Sequence, residues 1–182
     1  MTGLMKKIWQ SIVGTRAMGA IMAIAMFFCC VQAQAQQFQL DRLDDSTAVL
    51  RLVNDNGTCT DSWQLPYPVY RFATADINGD GSTDAVVGVF KSSRYFPEPS
   101  RRVFIFKNFD GDVRPLWLGS RLGGELIDFG IVDGKLRAIE KTDDGYVVSD
   151  YVWQGFGMGF DSLVSLCNTL DESYTFFPTP SP

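Results

Sequence analysis

Nine residues, Asp76-Ile-Asn78-Gly-Asp80-Gly81-Ser82-Thr-Asp84, constrain this chain more than any others. They place carboxylate or amide oxygens at positions one, three, five and nine of a short loop, with glycine at position six. A hard cation such as Ca²⁺ takes about six to eight oxygens at roughly 2.3–2.6 Å. The spacing offers it Asp76, Asn78 and Asp80 through their side chains, Ser82 through its backbone carbonyl, and Asp84 from the far side. Gly81 permits the positive φ that brings the loop ends together. Three carboxylates this close repel one another, and a bound cation is the natural counter-charge. The plainer alternative is a solvated Asn-Gly/Asp-Gly turn with no metal.

The flanking residues decide what kind of loop this is. A helix–loop–helix calcium site places a bidentate glutamate at position twelve. Here that position is Val87. Ala85-Val-Val-Gly-Val-Phe90 and Val69-Tyr-Arg-Phe-Ala-Thr74 are rich in β-branched and aromatic side chains, and both read as strands. A dockerin-like module needs two acidic loops, each followed by a helix; only one loop is present, and a strand follows it. The run from Phe72 to Val89 resembles the FG-GAP/VCBS repeat of adhesion-protein β-propellers. That resemblance implies structural Ca²⁺, with Asp76, Asn78, Asp80 and Asp84 as side-chain ligands.

The chain ends have their own signatures. Lys6, Lys7 and Arg16 precede an apolar run, Ala20–Val31, that is short for a bilayer span. Ala33-Gln-Ala35 then gives a small-x-small cleavage pattern. Residues 1–35 are therefore expected to be a signal peptide, residues 36–175 one domain, and residues 176–182 a proline-rich tail. Retained or lipid-linked anchoring is the alternative. The expected product is secreted or periplasmic, with no membrane span once the signal is removed. Losing those three basic residues leaves 13 basic against 21 acidic ones, a net charge of −8. An acidic surface of this kind argues against nucleic acid and anionic membranes.

Two cysteines remain beyond the signal, Cys59 and Cys167. An even pair in an oxidising compartment usually bonds. A Cys59–Cys167 disulfide is thus expected, worth on the order of 4–5 kcal/mol in the chain-entropy picture. Two free thiols are the alternative. No CxxC supports a redox or zinc role.

Between the ends, short runs of β-formers are separated by turn signals. Asp55-Asn-Gly57, Asp110-Gly111, Asp133-Gly134 and Asp144-Gly145 each supply the positive φ that suits a hairpin. Val103/Ile105 and Phe104/Phe106 are apolar on alternate faces, which predicts a strand covered on both sides. Lys135–Glu140 and Tyr146–Trp153 are mixed and predicted nearer the surface. Asp161–Leu170 reads as a strand as far as Leu166, with a short helix as the alternative. A weak repeat relates Trp63–Leu65, Asp76 and Ala85–Phe90 to Trp117–Gly119, Asp128 and Leu136–Lys141. In the second copy, Asp128-Phe-Gly130 and Asp133-Gly134 occupy the place of the binding loop. Phe38–Gln64 is a third unit. The predicted fold is all-β, with antiparallel meanders forming two to three blade-like sheets. An incomplete propeller-like stack, a compact sandwich and an oligomeric ring all satisfy the pattern, because a closed propeller needs about 4–8 blades.

The chain contains no histidine, which removes histidine triads and most zinc hydrolase chemistry. Gly155-Phe-Gly-Met-Gly159 lies between strands and reads as a turn, not a nucleotide loop. The long loop Lys91–Arg102 carries Arg94, Tyr95 and Phe96, which could form a contact patch or fold back over a sheet edge. The leading expectation is a non-catalytic, calcium-stabilised interaction or structural module at the cell surface, with a protein or glycan partner. The alternative is a polysaccharide-acting accessory or catalytic domain. That reading draws on Glu98, Glu125, Glu140 and Asp128 as acids and on exposed Trp117 or Trp153.

Overall fold

A computed structural model describes residues 36–119 and 121–177. The expected signal segment and residues 178–182 of the tail lie outside them. The chain is all-β, built from three consecutive antiparallel meanders. The first sheet is β1 (Gln37–Arg42), β2 (Ala48–Val53) and β3 (Cys59–Leu65). The second is β4 (Val69–Ala75), β5 (Asp84–Lys91), β6 (Ser100–Phe109) and β7 (Asp112–Leu118). The third is β8 (Glu125–Val132), β9 (Lys135–Thr142), β10 (Gly145–Trp153) and β11 (Met158–Cys167). A one-turn helix, α1 (Leu170–Tyr174), follows.

The turn residues act where the sequence places them. Asp110 and Asp133 adopt φ of 53° and 50°, and Gly111 and Gly134 follow at 87° and 74°. Two successive positive φ values match the right-handed twist of the flanking strands. This fixes the β6–β7 and β8–β9 registers.

The three sheets stack face to face, and the alternation of side chains explains the order. Ala85, Val87, Val89, Phe104 and Phe106 turn towards the first sheet and pack on Phe38, Leu50, Leu52 and Leu65. Val86, Val103, Ile105 and Trp117 turn the other way, onto Leu126, Phe129, Leu136 and Ala138 of the third sheet. The middle sheet is therefore apolar on both faces, as expected of β6. Gly88 marks a close approach between the second and third sheets: a Cβ there would lie 2.6 Å from the Tyr70 ring and 2.9 Å from that of Phe129.

Both ends of the stack are closed. Gln37, Gln39, Arg51, Thr60, Ser62 and Gln64 occupy the far face of the first sheet, and all six are exposed. On the far face of the third sheet, Ile139 and Val148 are covered by Leu170, Phe176 and Phe177. Thr169 caps α1 by accepting the amide of Glu172 at 3.3 Å, which lets the chain turn back over the sheet. The two faces where a further blade would stack are thus polar or already covered. The two phenylalanines at the start of the tail dock on the body.

Three expectations need correction. Asp128-Phe-Gly130 is not a loop but the middle of β8, because Asp128 is required inside to meet Arg71. The mixed strands β9 and β10 are not peripheral; Glu140, Ser149 and Asp150 are buried, and the two carboxylates find partners in Tyr151 and Arg137. Finally, Cys59 and Cys167 are free thiols, Cys59 exposed and Cys167 buried. They sit on the first and third sheets, with the second between. Stacked sheets lie about 10 Å apart, and a disulfide needs Cα atoms within about 7 Å.

Candidate metal centre

The acidic loop joins β4 to β5, the first two strands of the middle sheet. Ile77 is buried in the core between the second and third sheets and pins the loop to the body. Gly79 and Gly81 take φ of 75° and 84°, and the two bends coil the segment back on itself. Asp76, Asp80, Gly81 and Ser82 are exposed, whereas Asp84 is fully buried at the base.

Most of the loop oxygens point inward. Asp76 Oδ1 accepts the amides of Gly79 at 2.8 Å and Asp80 at 3.1 Å, and its Oδ2 accepts that of Gly81 at 2.9 Å. Asn78 Oδ1 accepts the Asp80 amide at 2.8 Å, and Asp80 Oδ1 accepts the Ser82 amide at 2.8 Å. Asn78 Nδ2 donates to Asp80 Oδ2 at 2.9 Å. The Ser82 amide and the Asn78 side chain hold the Asp80 carboxyl below the usual range.

Asp84 closes the arch. Its Oδ2 accepts the amides of Ile77 at 3.1 Å and Asn78 at 3.3 Å. Its Oδ1 is buried with no hydrogen-bond partner. Burial pushes this carboxyl up to about 6, against the pull of the two amides, and the charges of Asp80 and Asp76 add to the rise. A buried, unpaired carboxylate oxygen is costly unless something neutralises it.

The loop meets the chemistry of a hard cation in donor type. Every side chain assigned to it offers oxygen, and carboxylate oxygens that accept an amide retain a further lone pair. It does not present a finished cage: among the described residues, no three His, Cys, Asp or Glu side chains converge on one point. Asp76, Asn78, Asp80 and Asp84 are brought into one coil, and Ser82 lies on its outer turn. The corresponding connection of the third sheet, Asp133-Gly134, is a bare two-residue turn.

A scan against protein-family models and a search of curated proteins both find no match to this chain.

The other candidates separate. Glu140 is engaged: Oε2 accepts the Tyr151 hydroxyl at 2.6 Å and Oε1 the Gly124 amide at 2.5 Å. Asp128 is held by Arg71 and by the Tyr174 hydroxyl at 3.1 Å. Trp117 is buried in the core and Trp153 is half-buried, so Trp117 offers no exposed ring to a polysaccharide. Glu98 and Glu125 both line a cavity between the β5–β6 and β7–β8 connections. The contact loop divides: Tyr95 is 81% exposed with Arg94 over its ring, while Phe96 turns back to line that same cavity.

Sequence reasoning missed the cavity's basic members, Arg102 and Arg121. The doublet Arg101-Arg102 ahead of an apolar strand was a weak signal, because one of two alternating side chains had to face inward.

Proposed function

We propose that this chain is an exported, non-catalytic β-repeat protein in which the Asp76–Asp84 loop holds a structural Ca²⁺. The observation that carries the reading is the buried, partnerless Oδ1 of Asp84 at the base of an all-oxygen loop. Asp76, Asn78, Asp80 and Asp84 are the side-chain ligands and Ser82 the carbonyl ligand. The cation supplies positive charge and no reaction chemistry. The residues do the rest: Asp84 ties the start of β5 to the amides of Ile77 and Asn78, and Ile77 carries that constraint into the core. Fixing this loop fixes how β4 and β5 pair. The resemblance of Phe72–Val89 to FG-GAP/VCBS repeats supports the same assignment. So does the leader-like segment, which would deliver the chain to a calcium-containing compartment.

With the loop serving stability, the exposed surfaces are left for contact with a protein or glycan at the cell surface. The test is thermal melting with Ca²⁺ and with excess chelator, in the unmodified chain and in Asp80→Ala. The reading expects a higher Tm with Ca²⁺ in the first and a much smaller shift in the second. Equal melting in Ca²⁺ and in chelator overturns it.

A further inference from the structure

The cavity beside Phe96 has a volume of about 270 Å³. That is just under the roughly 300–1,000 Å³ of sites for drug-sized ligands. Its deepest charged group is Arg102, 6% exposed. The guanidinium donates through Nε to the Lys91 carbonyl at 3.2 Å and through Nη1 to the Gly119 carbonyl at 3.4 Å. An arginine carries five N–H donors, so two carbonyls do not satisfy it. Among the described residues, neither Arg102 nor Arg121 has a carboxylate within ion-pairing distance. The two cations instead share one aromatic ring: their guanidinium carbons lie 5.8 Å and 5.6 Å from the Phe96 centroid. Burial, and then the charge of Arg121, hold the Arg102 guanidinium below its ordinary value.

We propose that this cavity binds the carboxylate of a small organic acid, with Arg102 and Arg121 as its anion ligands and Phe96 as the apolar wall. A planar guanidinium matches a carboxylate bidentately, and an anion between two like charges relieves their repulsion. Arg101 is a wall and not a ligand, since its guanidinium already donates to the Ile127 carbonyl and lies over Tyr70. The cavity size favours a small molecule. Glu98 and Glu125 also line it and are exposed. They repel an extended polyanion but accept hydrogen bonds from hydroxyl or amino groups next to the acid. The ligand class is thus a hydroxy- or amino-bearing carboxylate, such as a sugar acid or an amino acid. This site stands apart from the cation reading, because it lies at the opposite end of β5. That strand has eight residues, a span of roughly 25 Å at about 3.3 Å each.

Calorimetric and NMR titration of the full chain tests it, with sodium glucuronate and serine as probes of the two sources. Neutral glucose and inorganic phosphate are the controls. Saturable binding of glucuronate or serine, with none for glucose, is the expected result, and which probe binds names the source. Arg121→Gln, at an exposed loop residue, should weaken that binding about tenfold or more, through loss of one charge-assisted hydrogen-bonding group. Arg102→Lys, which retains the charge but loses the fork, should also weaken it. Binding of neither acid, equal binding of glucose, binding of phosphate alone, or an unchanged affinity in Arg121→Gln with the melting curve intact would each overturn the proposal.

Discussion

Arg71 on β4 grips Asp128 on β8 through both carboxylate oxygens, Nε to Oδ1 at 2.6 Å and Nη2 to Oδ2 at 2.5 Å. This one pair ties the first strand of the middle sheet to the first strand of the next. The Asp128 side chain is 8% exposed and that of Arg71 is 41% exposed. Removing the carboxylate frees an arginine that can still reach water, so the full cost of a buried pair does not apply. Asp128→Ala should lose about 1–3 kcal/mol in urea unfolding. Arg71→Ala should lose more, because it leaves a buried carboxylate with only the Phe129 amide and the Tyr174 hydroxyl.

Tyr151 and Glu140 make a second buried pair, and they give the fold a pH dependence. Burial first, and then the hydrogen bond to Glu140, raise the Tyr151 hydroxyl well above its ordinary value of 10.0. Tyr70 is raised as well, by burial and then by the Asp128 charge. A raised value means that the folded state retains protons the unfolded chain releases. This stability is complete below pH 10 and is lost as the pH climbs towards the folded-state values. Urea melts should show stability falling above about pH 10, with a shallower fall in Tyr151→Phe. At neutral pH that variant should already lose about 1–3 kcal/mol, because Glu140 Oε2 is left buried without its donor.

The architecture was legible where local chemistry sufficed. Asp-Gly turns, β-branched runs and the two apolar faces of β6 were enough to anticipate antiparallel meanders in two to three sheets. The pairing of polar residues was not legible. Glu140 and Asp150 look like surface acids in sequence, and only the stack reveals that Tyr151 and Arg137 meet them inside. Arg102 and Arg121 were hidden for the same reason, since one lies at the start of β6 and the other in the β7–β8 connection, and they meet only over Phe96. The nine-residue loop was readable as a candidate, but the full burial of Asp84 and the seating of Ile77 in the core between the second and third sheets come only with the stacking of the sheets.

The cysteines give a direct chemical check. Cys59 is exposed, and Cys167 is 4% exposed with the middle sheet between them. Alkylation of the native chain followed by peptide mapping should label Cys59 rapidly and Cys167 only after denaturation. A Cys59–Cys167 linked peptide before reduction would contradict the arrangement.

Gly88 tests the packing of the second sheet on the third. A methyl group there would meet the rings of Tyr70 and Phe129 well inside van der Waals distance. Phe129 is fully buried, which leaves its ring little room to retreat. Gly88→Ala should cost about 1–3 kcal/mol in chemical denaturation. A neutral effect would mean that the sheets sit further apart.

The central claim is that the Asp76–Asp84 loop holds a cation against the unpaired oxygen of Asp84. Calorimetric titration of Ca²⁺ into metal-stripped protein tests it most directly, with Asp84→Asn alongside. The account predicts one saturable site per chain in the unmodified protein and none in the variant. An absence of saturable heat in the unmodified chain, or an equal response from Asp84→Asn, would contradict it.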